Sequence, residues 1–157
     1  MKYPTKLSDA VHILAFLALH PGANLTSEKI AESVQTNPAY IRQLMSALRK
    51  GGLLISVKGH PRPALAREPE AITLLDAYRA VEGDKPILHQ DTHTNPACGV
   101  GVNIQLVLAD CYREVQHSAE EKMREITLAE ILARYYQKLD HQTSRENQEG
   151  DAIYERT

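Results

Sequence analysis

Between Thr26 and Lys50, two apolar stripes of helical spacing are separated by only three polar residues, Gln35-Thr36-Asn37. Thr26 or Ser27 can cap the first of these helices, Glu28 stands in its acidic first turn, and Ile30, Ala31 and Val34 point inward. Asn37 followed by Pro38 reads as an N-cap with proline at the first helical position. Ile41, Leu44, Met45 and Leu48 then form one stripe that ends at Gly51-Gly52, so the spacing predicts a helix over 38–50. Helices of about two and four turns joined this tightly have the proportions of a helix-turn-helix.

The flanking sequence extends that reading. Leu7, Val11, Leu14, Ala15 and Ala18 give a preceding helix over 7–19, which Pro21-Gly22 stops. Behind the third helix, residues 53–57 are a strand candidate, 58–63 a turn and 64–66 a short returning strand, and a hairpin in that position is a wing. Thr73 and Asp76 form a capping-box pair before a helix over 74–81 that Gly83 closes. Residues 83–101, rich in His, Pro, Asp, Thr and Gly, read as a loop. Ile104, Val107, Leu108, Cys111, Val115 and Ala119 carry a stripe along 103–126, about 36 Å of helix, which overhangs a domain this small. Thr127 and Glu130 predict a break and a shorter helix through Leu128, Ile131, Leu132 and Tyr135, with disorder after Asp140. The expected fold is mainly α with a small β wing. Its expected parts are a winged helix-turn-helix domain at 1–83, a sensor-type loop at 84–102, a long dimerisation helix with a short terminal helix at 103–138, and a disordered tail at 139–157.

The net charge of −2 hides a strong asymmetry. Residues 1–67 hold nine Lys/Arg against three acids, a formal +6, whereas 68–157 come to −8. A basic face for a polyanion, joined to an acidic half with another task, accounts for that split. Nothing resembles a membrane span of roughly 18 apolar residues, and Met1-Lys2-Tyr3-Pro4 lacks the layout of a signal peptide, so a cytoplasmic protein with no membrane partner is expected. Two cysteines are too few for a disulfide framework. A phosphate-binding Gly-rich loop, a nucleophile elbow and a His-Glu metalloprotease motif are all missing from the sequence, which argues against an enzyme.

With its apolar stripe inward, the third helix leaves Tyr40, Arg42, Gln43, Ser46, Arg49 and Lys50 on the opposite side, with Asn37 at its mouth. Arg and Gln can make bidentate bonds to guanine and adenine edges, so Arg42 and Gln43 are the candidates for base contact. Arg49 and Lys50, further along, are placed to grip phosphate. The wing adds Lys58, His60 and Arg62, the last set between two prolines that stiffen its presentation to a minor groove. The plain alternatives are a solvated helix face and an ordinary exposed turn.

Ile30-Ala31, Pro38-Ala39-Tyr40-Ile41, Leu44, Leu48 to Leu53, Ser56 to Gly59, Leu65-Ala66, Ile72-Thr73-Leu74, Tyr78 to Gly83 and Asn95 to Cys98 together resemble the Rrf-type winged-helix repressors, relatives of IscR, NsrR and CymR, over most of residues 1–135. The resemblance implies a homodimer built on the long helix, with Ile104, Val107, Leu108, Cys111 and Val115 at the interface and two winged domains on successive half-sites of a near-palindromic double-stranded DNA operator. The sequence departs from the family twice. Pro61-Arg62-Pro63 stands where family wings commonly carry Gly-Gly and an aromatic residue, and proline cannot take the φ > 0 conformations that glycine allows. Cluster-binding members have three cysteines in the loop before the dimer helix, whereas this loop has only Cys98, so no iron-sulfur cofactor is expected. Cys98 is a candidate sensor thiol or an ordinary reduced cysteine, and Cys111 reads as a small core or interface residue. His89, His93 and Cys98 match no closed metal site. The effector is not legible, and the alternative to a DNA-binding regulator is a winged-helix module for protein-protein contact.

Overall fold

A computed structural model describes residues 5–56 and 62–154, with 144–154 as backbone alone. Helix α1 (Lys6–Leu19) is followed by α2 (Ser27–Val34), α3 (Pro38–Lys50), strands β1 (Leu54–Ser56) and β2 (Pro63–Leu65), α4 (Leu74–Glu82), α5 (Gly99–Glu125) and α6 (Leu128–Tyr154). A single 3-10 turn at Pro69–Ala71, not anticipated from the sequence, leads from the hairpin to α4. No helix among the described residues is long and apolar enough to cross a membrane.

The helix-turn-helix follows from its caps. The Thr26 hydroxyl accepts from the Lys29 amide at 3.3 Å at the start of α2. Gln35 then turns left-handed at φ 58°, and the Thr36 amide donates back to the Ala31 carbonyl at 2.9 Å, which closes the helix without glycine. Two residues later the Asn37 Oδ1 accepts from the Tyr40 amide at 2.8 Å, with Pro38 at the first position of α3. Ile41, Leu44, Met45 and Leu48 are buried as the spacing requires, against Ile30 and Ala31 of α2 and Leu53 and Leu54 beyond α3. At its far end α3 presses on α4: a Cβ on Gly51 would lie 2.8 Å from the Ala80 Cβ, so this approach needs glycine.

Helix α1 is a correction. Of the expected inward line Leu7, Val11, Leu14, Ala15 and Ala18, only Leu14 is fully buried; Ala10, Ile13 and Leu17 are its companions, and the others lie at the margin of the core. This helix is apolar around most of its circumference, so its neighbours rather than its period choose the face.

The hairpin is antiparallel with Leu54 opposite Leu65, Ile55 opposite Ala64 and Ser56 opposite Pro63. Its turn, with Lys58 and His60, lies outside the described residues. The capping box at α4 is complete: the Asp76 amide donates to the Thr73 hydroxyl at 3.1 Å and the Thr73 amide to the Asp76 carboxylate at 2.9 Å. Thr73 also pairs across to Thr127. The Leu74 amide donates to the Ile126 carbonyl and the Leu128 amide to the Ile72 carbonyl, each at 2.8 Å, and this two-bond clasp ties the α5–α6 corner to the winged head. At that corner the Thr127 hydroxyl caps α6 through the Glu130 amide at 3.1 Å, while the Glu130 carboxylate pairs with Arg134.

Helix α5 begins at Gly99, four residues before the expected start. The Asn95 side chain and carbonyl accept from Ala97 and Cys98, each at 3.0 Å, and wind the chain directly into the helix. Only its last third packs on the head, where Met123 is buried with Leu75 and Tyr78 of α4. Helix α6, expected to stop near 138 with disorder after Asp140, instead runs to Tyr154. No proline interrupts 128–154, so no residue without an amide breaks the helix that packing at Leu128 and Leu132 starts.

Candidate nucleic-acid interface

With Ile41, Leu44, Met45 and Leu48 turned inward, the outer face of α3 presents Arg42, Gln43, Arg49 and Lys50, all exposed, with Ser46 half-buried among them. Arg62, exposed at the foot of β2, is the one wing cation among the described residues. Gln43, Ser46 and Lys50 also line one side of a shallow concavity of about 540 Å³, closed on the other side by Arg79 and Ala80 of α4. Arg79 was not singled out from the sequence. Its place beside α3 depends on the close α3–α4 approach at Gly51, which no local pattern announces.

The two best-placed polar groups near the N-terminus of α3 are engaged differently from a free, solvated face. The Arg42 guanidinium donates to the Ser27 hydroxyl at 3.1 Å and to the Glu28 carboxylate at 3.3 Å, both at the start of α2. This pair is more than half exposed, so solvent screens it and a base edge can compete for the guanidinium. Backbone amides at the start of α2 chiefly, with Thr26, Ser27 and Arg42, hold the Glu28 carboxyl below its ordinary pKa. Tyr40 is half-buried and turns toward α1, where its hydroxyl donates to the Asp9 carboxylate at 3.0 Å. Burial first, and the bond to Asp9 second, raise its pKa. Tyr40 therefore braces α3 against α1, and Asn37 has its side-chain oxygen committed to the cap.

Away from the head, the stripe on α5 stands largely uncovered. Ile104, Val107 and Val115 are 47, 56 and 49% exposed, with Leu108 half-buried between them. Cys111 is exposed on the same helix, which removes the core half of its expected role. Cys98, at the N-cap of α5, is exposed as well. The loop before it lies along α5, with the Ile87 amide on the Gln116 side-chain oxygen at 2.9 Å and Gln90 on Gln105.

Residues 3–134 match the family described as Rrf2, iron-dependent transcriptional regulator. YwnA of Bacillus subtilis (strain 168), named as an HTH-type transcriptional regulator, is 34% identical over 128 residues, which cover 82% of this chain and 95% of that protein. CymR of the same organism, an HTH-type transcriptional regulator, is 39% identical over 85 residues, 53% of this chain and 62% of that one. Among solved structures, T. potens IscR superposes with a TM-score of 0.62 at 31% identity, over 86% of this chain and 88% of its own.

The family description names iron, and the donor set tests it. The sequence holds two cysteines, one at the start of α5 and one 13 residues further along the same helix, about 20 Å away. Thiolates so separated cannot share a cluster, and among the described residues no three His, Cys, Asp or Glu side chains gather into a ligand set. The donors present do not fit an iron-sulfur cluster.

Proposed function

We propose, for a chain that belongs to the Rrf2 family of transcriptional regulators, that two copies join along α5 and place their winged heads on successive half-sites of a near-palindromic operator. The chain is a winged helix-turn-helix regulator rather than an enzyme. What carries the dimeric reading is the apolar stripe of exposed Ile104, Val107 and Val115, with half-buried Leu108, on a helix that leaves the head. Burying such a stripe against its own copy removes apolar surface from water at about 25 cal/mol per Å². A two-fold axis along α5 would then present the α3 faces as a related pair, suited to half-sites about 34–36 Å apart or a multiple of that.

In this reading Arg42 and Gln43 read base edges, with Arg42 exchanging Glu28 for guanine. Arg49, Lys50 and the wing cations Lys58, His60 and Arg62 hold backbone, while Asn37 and Tyr40 set the entry of α3 at the groove. Occupying the operator would repress by excluding other proteins from it. Cys98 is the point of modulation, since its exposed thiol opens the helix on which the pairing depends.

Selection of genomic fragments by the purified protein, with the thiol reduced and then oxidised, tests this directly. An enriched near-palindrome whose capture changes on oxidation is expected. Enrichment indifferent to oxidation removes Cys98 as the sensor, and no enrichment at all replaces the regulator with a protein-contact module.

A further inference from the structure

We infer that Arg79 of α4 is a DNA-backbone contact held in reserve by Glu120 of α5, so that the helix bearing the pairing stripe controls one cation of the DNA-facing surface. The inference rests on the DNA-binding reading above and deepens it.

Arg79 belongs to neither the helix-turn-helix nor the wing, yet it completes the concavity lined by Gln43, Ser46 and Lys50. A duplex phosphate seated on Lys50 and Ser46 would therefore lie on the Arg79 side of α3. The Arg79 side chain is 57% exposed and its guanidinium donates to the Glu120 carboxylate at 3.1 Å, its one ion pair among the described residues. Glu120 is itself fixed: the Gln116 Nε2, one turn earlier, donates to its other oxygen at 2.8 Å, and the Gln116 Oε1 accepts the Ile87 amide of the loop at 2.9 Å. Loop, α5 and α4 are thus joined in one hydrogen-bonded series that ends on a cation at the edge of the DNA-facing concavity. Arg79 also lines a second hollow of about 250 Å³ on the loop side, with Asp84, Lys85 and Gln116, so its side chain stands between the two surfaces.

Energetics favour exchange. The Arg79 half of the pair is open to water, which screens it, although Glu120 is only 25% exposed, and a duplex phosphate offers the guanidinium two oxygens and releases a condensed counterion. Glu120 keeps a lowered pKa, chiefly through Gln116, so it stays ionised at neutral pH and remains a competitor for Arg79. Shifting α5 or the loop changes that competition without touching α3.

The test is fluorescence anisotropy of the full chain on a short duplex, from about 50 to 200 mM salt, for the parent, Arg79→Gln, Glu120→Gln and the double variant. Arg79→Gln should weaken binding to all sequences alike and flatten the salt dependence by one phosphate, about 0.9 in log-log slope, or about 3-fold across that range. Glu120→Gln should bind several-fold tighter than the parent, and that gain should vanish in the double variant. A gain from Glu120→Gln that persists without Arg79 would reduce Glu120 to general repulsion and overturn the inference, as would an unchanged slope in Arg79→Gln. Parent protein that binds DNA with no salt dependence would instead defeat the DNA-binding reading itself. Arg79→Lys, which keeps the charge, should keep the slope; if Arg79→Gln alters the melting temperature, the parent, Glu120→Gln, Arg79→Lys and Arg79→Lys/Glu120→Gln decide, with the Glu120→Gln gain expected to survive only as far as the lysine replaces the guanidinium.

Discussion

The winged head and helix α5 use the same apolar residue types to opposite ends. In the head, Ile13, Ile30, Ile41, Leu48 and Ile72 are all within 1% of full burial, and the helix ends are closed by Thr26, Asn37 and the Thr73–Asp76 box. On α5, Val100, Ile104, Leu106, Val107 and Val115 are each about half exposed or more, and only Met123 is buried. The head closes its core with help from the α5–α6 corner, through Met123 and Leu128, whereas the stripe along the rest of α5 finds no full cover among the described residues. On the proposed pairing, the contrast separates stability, centred in the head, from assembly, assigned to α5.

The comparison can be broken most forcefully from inside the head. Leu48→Ala, at a fully buried position on α3, should cost about 2–5 kcal/mol in urea unfolding, because nearby backbone collapses only partly into the space left. Val107→Glu should leave the head folded by circular dichroism but weaken self-association about a hundredfold, or about 2.7 kcal/mol, since two-fold symmetry brings in two charges at once. If Val107→Glu unfolded the head instead, the division of labour would be wrong.

How much of this was legible in the sequence divides along the same line. The face of α3 was readable because Asn37-Pro38 and Gly51-Gly52 fix both ends and a clean stripe fixes the rotation. The inward face of α1 was not, because apolar residues surround that helix and only packing selects among them. Partners of Arg42 lie 14 and 15 residues away on another helix, and Arg79 reaches the concavity only through the α3–α4 contact; neither is a local pattern. The end of α6 was not legible because polarity marks solvent exposure rather than backbone conformation, and the polar residues after Asp140 continue a helix that packing at Leu128 and Leu132 has started.

Smaller effects sharpen the account of the reading face. Arg42→Ala should lose about 1–3 kcal/mol of discrimination at one base position while leaving non-specific affinity nearly intact, measured by competition between the selected site and its single-base variants. Lys50→Ala should do the reverse, weakening every sequence alike. The smallest effect concerns acid. Glu28 has its folded pKa lowered from the ordinary value of 4.5, so its contribution to stability is fully present above that value and is lost as the pH falls through the lowered one. Melting curves of the parent and Glu28→Gln should differ at pH 6 and converge as the pH drops below 4.5; a difference that grows in acid would show that the sign is wrong.

The pairing of heads through α5 on DNA is tested most directly by the mass of the complex with the selected near-palindromic duplex, measured by light scattering on a size-exclusion column. Two chains per duplex, falling to weak or partial occupancy for Val107→Glu, is the expected result. A stable complex of one chain per duplex, unaffected by that substitution, would contradict the account.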